Sequence, residues 1–351
     1  MRFSRVVLAA VAAGALAIGA AAPGQAASSP GWRQVLSKHY GSAADFSAYT
    51  AVTALAKNNA WAFGTTDYSG GTTPEAVAEH WNGKSWSAVS MPAGTAGDVL
   101  AASAVSSSNI WAVTFTGAYI LHWNGARWSV SKHLTGFGEL TGVTAISATN
   151  VWAFGGPGGD PGLGTWHFNG KTWAHITGGA TGLENASAVS ASNIWGIGSL
   201  SSPYDAVVHY NGKTWQHVTA AALSGLQFRT VKAFSATNIW VSAHGSGGSS
   251  AAYLVHYNGK VWTRYSLPWK LQLSGFASDG KGGVWLTGST IGSSTSYAVH
   301  RSASGVWSRT ALSAEVQALA LTPGTTSVWG TGYKALATGA NAVIWAYGTL
   351  P

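Results

Sequence analysis

Ser190–Val218 reads SASNIWGIGSLSSPYDAVVHYNGKTWQHV. The segment breaks into short apolar runs divided by turn residues. Glu184–Ser190 leads into Ala191-Ser192-Asn193, and Ile194-Trp195-Gly196-Ile197-Gly198 follows. A loop of Ser, Pro, Tyr and Asp intervenes, and then Ala206–Tyr210 meets Lys213–Val218 across Asn211-Gly212. No run is long enough for a helix. Asn-Gly between two apolar runs predicts a hairpin with a type I′ turn, which needs φ > 0 at both central residues. Asn193 suits a tight turn, because its side chain tolerates left-handed backbone and hydrogen-bonds locally. The segment therefore reads as a four-stranded antiparallel meander.

The unit recurs. Its second-strand Trp appears at Trp61, Trp111, Trp152, Trp195, Trp240, Trp285 and Trp329, at steps of 41 to 50 residues. Its fourth-strand Trp appears at Trp86, Trp128, Trp173, Trp215, Trp262 and Trp307. Six against seven leaves one fourth strand missing, and Gly31-Trp32-Arg33-Gln34-Val35 matches it at the other end of the chain. The expectation is all-β: a seven-bladed β-propeller of four-stranded antiparallel blades, closed by the N-terminal strand completing the last blade. Closure removes exposed sheet edges. The repeated Trp residues, with Trp32, are expected to wedge between blades. Copies six and seven are degenerate: His300–Gly305 lacks Asn-Gly, and Trp345 stands where His is expected.

Residues 1–26 read as a secretory signal, with Arg2 and Arg5, an Ala/Val/Leu run and Gly24-Gln25-Ala26 as a cleavage site. Residues 27–351 are then one propeller domain, secreted and extracellular. No other apolar stretch approaches the ~20 residues that span a bilayer. There is no Cys, so thiolate metal sites, disulfides and a lipid anchor on Cys are excluded. Removing Arg2 and Arg5 lowers the formal charge from +8 to +6. The remaining basic residues are scattered, many at hairpin turns, with no Lys/Arg run of the kind that contacts nucleic acid. A mild preference for anionic surfaces such as cell-wall polymers is allowed.

The turns between strands one and two, and three and four, are short and uniform. The two-to-three loops and the connections between copies vary, and in a meander they lie on the opposite face. That variable face is the expected functional one, since loops on a rigid scaffold change without disturbing packing. Candidate ligand contacts there are Asp67, Tyr68, Asp160, Tyr204, Asp205, Tyr253, Trp269, Tyr297 and Tyr333, with Glu75 as a further variable-face acid. These acids suit general acid–base work or Ca²⁺, but no pair has a spacing that demands chemistry. The repeated His80, His122, His167, His209, His256 and His300 are spread around a ring and cannot converge on one ion. A structural hydrogen bond is expected at each, and no metal or cofactor. Gly155–Gly159 lacks the Lys-Ser/Thr and the helix of a phosphate loop.

The motif Asn-Ile-Trp-Ala/Gly-x-Gly, followed by His-Trp/Tyr-Asn-Gly-Lys-x-Trp, resembles the Trp-rich repeats of secreted bacterial β-propellers over nearly all of the mature chain. Asn211–Trp215 is similar to a worn Asp-box, the structural hairpin of sialidase-like propellers, and Ser278–Trp285 more weakly so. The resemblance implies fold. Sialidases also use an arginine triad, a Tyr nucleophile and acidic partners, and none of the six Arg left after the leader sits in such a context. The functional expectation is a non-enzymatic binding protein, monomeric, recognising glycans or cell-surface polymers as propeller lectins do. The alternatives are a protein-interaction scaffold of the envelope, or a glycoside hydrolase or lyase with an axial site.

Overall fold

The computed structural model describes residues 31–67, 74–136, 138–155, 162–176, 182–199, 206–246, 251–291 and 295–350. The proposed leader lies outside them. β1 (Trp32–Lys38) comes first. Blade 1 holds β2 (Ala48–Ala56), β3 (Asn59–Thr65), β4 (Ala76–Trp81) and β5 (Trp86–Val89). Blade 2 holds β6 (Val99–Ser106), β7 (Asn109–Thr114), β8 (Tyr119–Trp123) and β9 (Trp128–His133). Blade 3 holds β10 (Leu140–Ser147), β11 (Asn150–Gly155), β12 (Gly164–Phe168) and β13 (Trp173–Ile176). Blade 4 holds β14 (Gly182–Ser190), β15 (Asn193–Ser199), β16 (Ala206–Tyr210) and β17 (Trp215–His217). Blade 5 holds β18 (Leu226–Ser235), β19 (Asn238–Gly245), β20 (Ala252–Tyr257) and β21 (Trp262–Ser266). Blade 6 holds β22 (Leu271–Ser278), β23 (Val284–Thr290), β24 (Ser296–Arg301) and β25 (Trp307–Leu312). β26 (Glu315–Leu321), β27 (Val328–Ala335) and β28 (Ala340–Tyr347) belong to blade 7.

β1 is the missing strand. It pairs antiparallel with β28, Trp32 opposite Tyr347, and the sheet order is β1-β28-β27-β26. Each first strand touches the first strand of the next blade, and β2 touches β26, so the ring is closed and the first strands surround its axis. The chain is a seven-bladed β-propeller.

Trp wedges hold the seams. Trp61 meets Trp128 at 5.8 Å, Trp111 meets Trp173 at 5.7 Å, and Trp152 meets Trp215 at 5.9 Å. Trp195 meets Trp262 at 5.7 Å, Trp285 meets Trp32 at 5.4 Å, and Trp329 meets Trp86 at 5.0 Å. All six contacts are edge-to-face, the geometry that ring quadrupoles favour. Trp61, Trp111 and Trp329 are at most 2% exposed.

Two local expectations are corrected. The Asn-Gly hairpins are not type I′. At Asn82-Gly83 only the glycine has positive φ, 96°, and the Asn82 side-chain oxygen accepts the N–H groups of Lys84 and Ser85. The same pattern holds at Asn124, Asn169, Asn211 and Asn258. The loop is four residues long, so an Asx turn replaces the two-residue turn. A Cβ on Gly212 would also come within 2.7 Å of the Ser192 Cβ, which shows both short turns of one blade packed together on one face. Trp345, in turn, does not occupy the histidine position. Trp329 faces Ala346 as Trp195 faces His209, and Trp345 sits one residue earlier, opposite Gly330.

Candidate functional site

Most of the repeated histidines form a structural lattice, but the expected hydrogen bond is missing at His122. Its Nε2 is buried without a partner among the described residues, while Asn109 accepts only the Trp111 indole. In blade 4 the Asn193 side-chain oxygen accepts the Trp195 indole N–H at 2.8 Å and lies 3.0 Å from His209 Nε2. An oxygen already accepting from indole makes His209 the donor. Blades 1, 3 and 5 repeat the arrangement through Asn59, Asn150 and Asn238. Asn at the head of the second strand is therefore selected for this double acceptance and not for left-handed backbone: among the described residues only Ala118 is a non-glycine with positive φ. Each imidazole lies over its Trp ring, stacked or tilted, at 4.4 Å and 32° in blade 4. Burial pushes His80, His122, His167, His209 and His256 below the ordinary histidine range, which keeps them neutral. In blade 6 Asp279 replaces the Asn and takes His300 Nε2 at 2.8 Å. Among the described residues no group of three His, Cys, Asp or Glu is arranged to hold a metal ion.

The sequence candidates do not form one site. Tyr68, Asp160, Tyr204 and Asp205 lie outside the described residues. Asp67, at the end of blade 1's second strand, is 2% exposed and enclosed by the blade. The Tyr333 hydroxyl donates to Glu315 at 2.7 Å, and its ring meets Phe46 edge-on at 4.6 Å. Tyr253 packs into the core between blades 4 and 5 and carries the Arg264 guanidinium at 5.4 Å.

Trp269 and Tyr297 do converge. Trp269 lies in the connection from blade 5 to blade 6, and Tyr297 near the start of β24, both against the core between those blades. The exposed Arg309, on β25, sets its guanidinium 4.9 Å from the Trp269 ring and 4.4 Å from the Tyr297 ring. Both aromatics are half-buried. The result is a cation between two flat apolar faces, on the side of the molecule that carries the variable loops.

Sequence reasoning missed two further features. Arg301 stands where other blades carry Trp81, Trp123, Phe168, Tyr210, Tyr257 and Tyr347, and its guanidinium lies 4.1 Å from Tyr265, 5.6 Å from Trp240 and 5.8 Å from Trp307. A charge in the aromatic column of the repeat was the available signal. The second is a buried polar chain between blades 7 and 1. The Tyr40 hydroxyl donates to Glu79 at 2.8 Å and lies 2.9 Å from the Tyr49 hydroxyl, while Lys38 Nζ reaches the same carboxylate oxygen at 2.5 Å. Burial pushes both tyrosines above the ordinary range. Glu79 occupies the position that holds Leu121, Val208, Val255 and Val299 elsewhere, which is again a departure visible in the repeat.

No protein-family model matches the chain, and no curated protein matches it. Solved structures do. One, described as YCF48 bound to D1 peptide, is 13% identical with a TM-score of 0.61, covering 91% of this chain and 97% of that one. A catalytically inactive virginiamycin B lyase from Staphylococcus aureus with quinupristin is 10% identical with a TM-score of 0.61, covering 90% and 99%. The extracellular domain of a putative one-component system from B. thetaiotaomicron is 11% identical with a TM-score of 0.57, covering 85% of this chain and 40% of that one. At these identities the likeness is one of fold. No helix among the described residues is long and apolar enough to cross a membrane.

Proposed function

We propose that the protein is a secreted, non-enzymatic binding propeller that engages an acidic glycan of the cell envelope at Trp269, Tyr297 and Arg309. The carrying observation is the shared Arg309, 4.9 Å and 4.4 Å from the two rings. Sugar C–H faces stack on half-buried aromatic rings, and an exposed guanidinium takes a carboxylate or phosphodiester substituent in bidentate fashion. The net positive charge of the chain draws such polymers toward it. The Asx-turn hairpins support the Asp-box likeness, a resemblance that concerns scaffold and not chemistry.

The test is a glycan array with the mature protein, followed by affinity measurements on uronate- and phosphate-bearing polymers. Trp269→Ala and Arg309→Ala are each expected to weaken binding about tenfold, the equivalent of ~1.4 kcal/mol. No binding to any acidic glycan at about 1 mM, a ceiling already weak for a specific site, overturns the reading. Capture of a peptide or protein at these three residues, with no glycan bound, replaces it with the scaffold alternative.

A further inference from the structure

The residues that face the second-strand Trp on each first strand form one layer around the propeller axis. Blades 1 to 4 place Thr53, Ser103, Thr144 and Ser187 there, blades 6 and 7 place Ala277 and Ala320, and blade 5 alone places Lys232. The hydroxyls have work within the ring. Ser103 accepts the Ala145 N–H, Ser187 accepts the Ala233 N–H, and Thr144 donates to the Ala186 carbonyl, each across a seam. The Lys232 side chain has none: no hydrogen bond or ion pair reaches its ammonium among the described residues, and burial lowers its pKa.

A cavity of about 260 Å³ opens at this height, lined by Lys232, Ser103, Thr144, Ser187, Ile146 and Val189. Ile146 and Val189 are bulge residues near the ends of their first strands, where the register with the second strand shifts. Val105 and Phe234 hold the same position in blades 2 and 5, and each is 37% exposed. The mouth of the channel beside the short turns is thus rimmed by apolar side chains, with a single cation behind them.

Lys232 is half-buried in the channel, and burial lowers the pKa of its ammonium, so an anion beside it favours the charged form. We propose that the axial channel is an oxyanion site, in which Lys232 holds a carboxylate or phosphate group within the ring of hydroxyls. No other charged side chain stands in that layer, so nothing there repels an anion. The site is separate from the Trp269–Arg309–Tyr297 surface, and its test does not depend on that surface.

Calorimetric titration of the mature protein with inorganic phosphate, acetate and octanoate, at constant ionic strength, reads the proposal. Binding of at least one anion is expected, and Lys232→Met is expected to weaken it tenfold or more. Octanoate binding tenfold tighter than acetate identifies the head group of an amphiphile whose stem lies on the apolar rim. Phosphate or acetate binding that octanoate does not exceed identifies a free ion. Should Lys232→Met fail to fold, ¹³C-dimethylation of the wild-type lysines followed by NMR decides: the Lys232 signal is expected to shift with added anion and its pKa to rise. No binding of any of the three at about 10 mM, a ceiling weak for any specific site, overturns the proposal. So does unchanged affinity in Lys232→Met, or a Lys232 resonance indifferent to anions.

Discussion

At the seam between blades 2 and 3, Trp111 meets Trp173 edge to face at 5.7 Å. At the seam between blades 5 and 6, the equivalent Trp240 and Trp307 have the Arg301 guanidinium near both, at 5.6 Å and 5.8 Å. The first arrangement needs only apolar area and ring geometry. The second adds a cation that must be withdrawn from water, and the surrounding rings return part of that cost. Several departures from the repeat lie in blades 5 and 6. Blade 6 lacks Asn-Gly and carries Asp279 in place of Asn, the Trp269–Arg309–Tyr297 group lies on its outer side, and Lys232 stands on the first strand of blade 5. Six seams maintain the ring, and the seam that departs from them has room for a different task.

The comparison breaks most sharply under truncation. Trp111→Ala leaves a ring-sized void in a seam where the indole is 1% exposed, and it is expected to cost ~3–5 kcal/mol. Arg301→Ala is expected to cost ~1–2 kcal/mol, because a half-buried cation contributes less than a buried indole. Equilibrium denaturation of both variants reads the difference. Equal losses would show that the seams do not differ in kind.

A smaller effect than the Trp111 loss is expected at the closure, where the buried Glu79 carboxylate meets the partly exposed Lys38. Glu79→Ala removes the acceptor shared by Lys38 and Tyr40, leaving two buried hydroxyls and an ammonium without it. The expected loss is ~2 kcal/mol by the same measurement. A loss under ~0.5 kcal/mol, ordinary for a surface position, would mean the polar chain adds nothing to the join between blades 7 and 1.

The smallest effect per residue is proton-linked. Folding lowers the pKa of His80, His122, His167, His209 and His256, so the unfolded chain binds more protons than the native one below the ordinary histidine value of about 6.5. Their contribution is complete above that pH and is lost as the pH falls toward the lowered native values. His39, whose pKa is raised by its hydrogen bonds to Ser42 and its neighbours, acts in the opposite sense. Thermal midpoints are therefore expected to fall from pH 7 to pH 5. A flat profile would show that the imidazoles do not titrate differently in the fold.

The ring and its closure were legible because both rest on periodic apolar residues. Trp32 could be matched to Trp215 without coordinates, and the structure pairs it where the match requires. The type I′ turn was misjudged because Asn-Gly admits two hairpins. The fourth strand starts at Trp215, two residues after Lys213, and the Asn211 side chain closes the longer loop on Lys213 and Thr214. Trp345 was misplaced by one residue because blade 7 has no histidine to anchor the count. The Trp269–Arg309–Tyr297 group was half legible: the two aromatics stood out as exceptions to the repeat. Arg309 did not, because a lone arginine on an outer strand looks the same whether it faces solvent or a ring.

The join between β1 and β28 also orders events in time. Arg33 donates to the Gly348 carbonyl across 315 residues of chain, so the first strand made is the last to find its partner. Blades 1 to 6 can assemble in sequence as they emerge, each from neighbouring segments. Blade 7 waits for β28, and closing so long a loop slows that step more than it weakens the product. A chain that ends before β28 leaves β1 without the strand it pairs with.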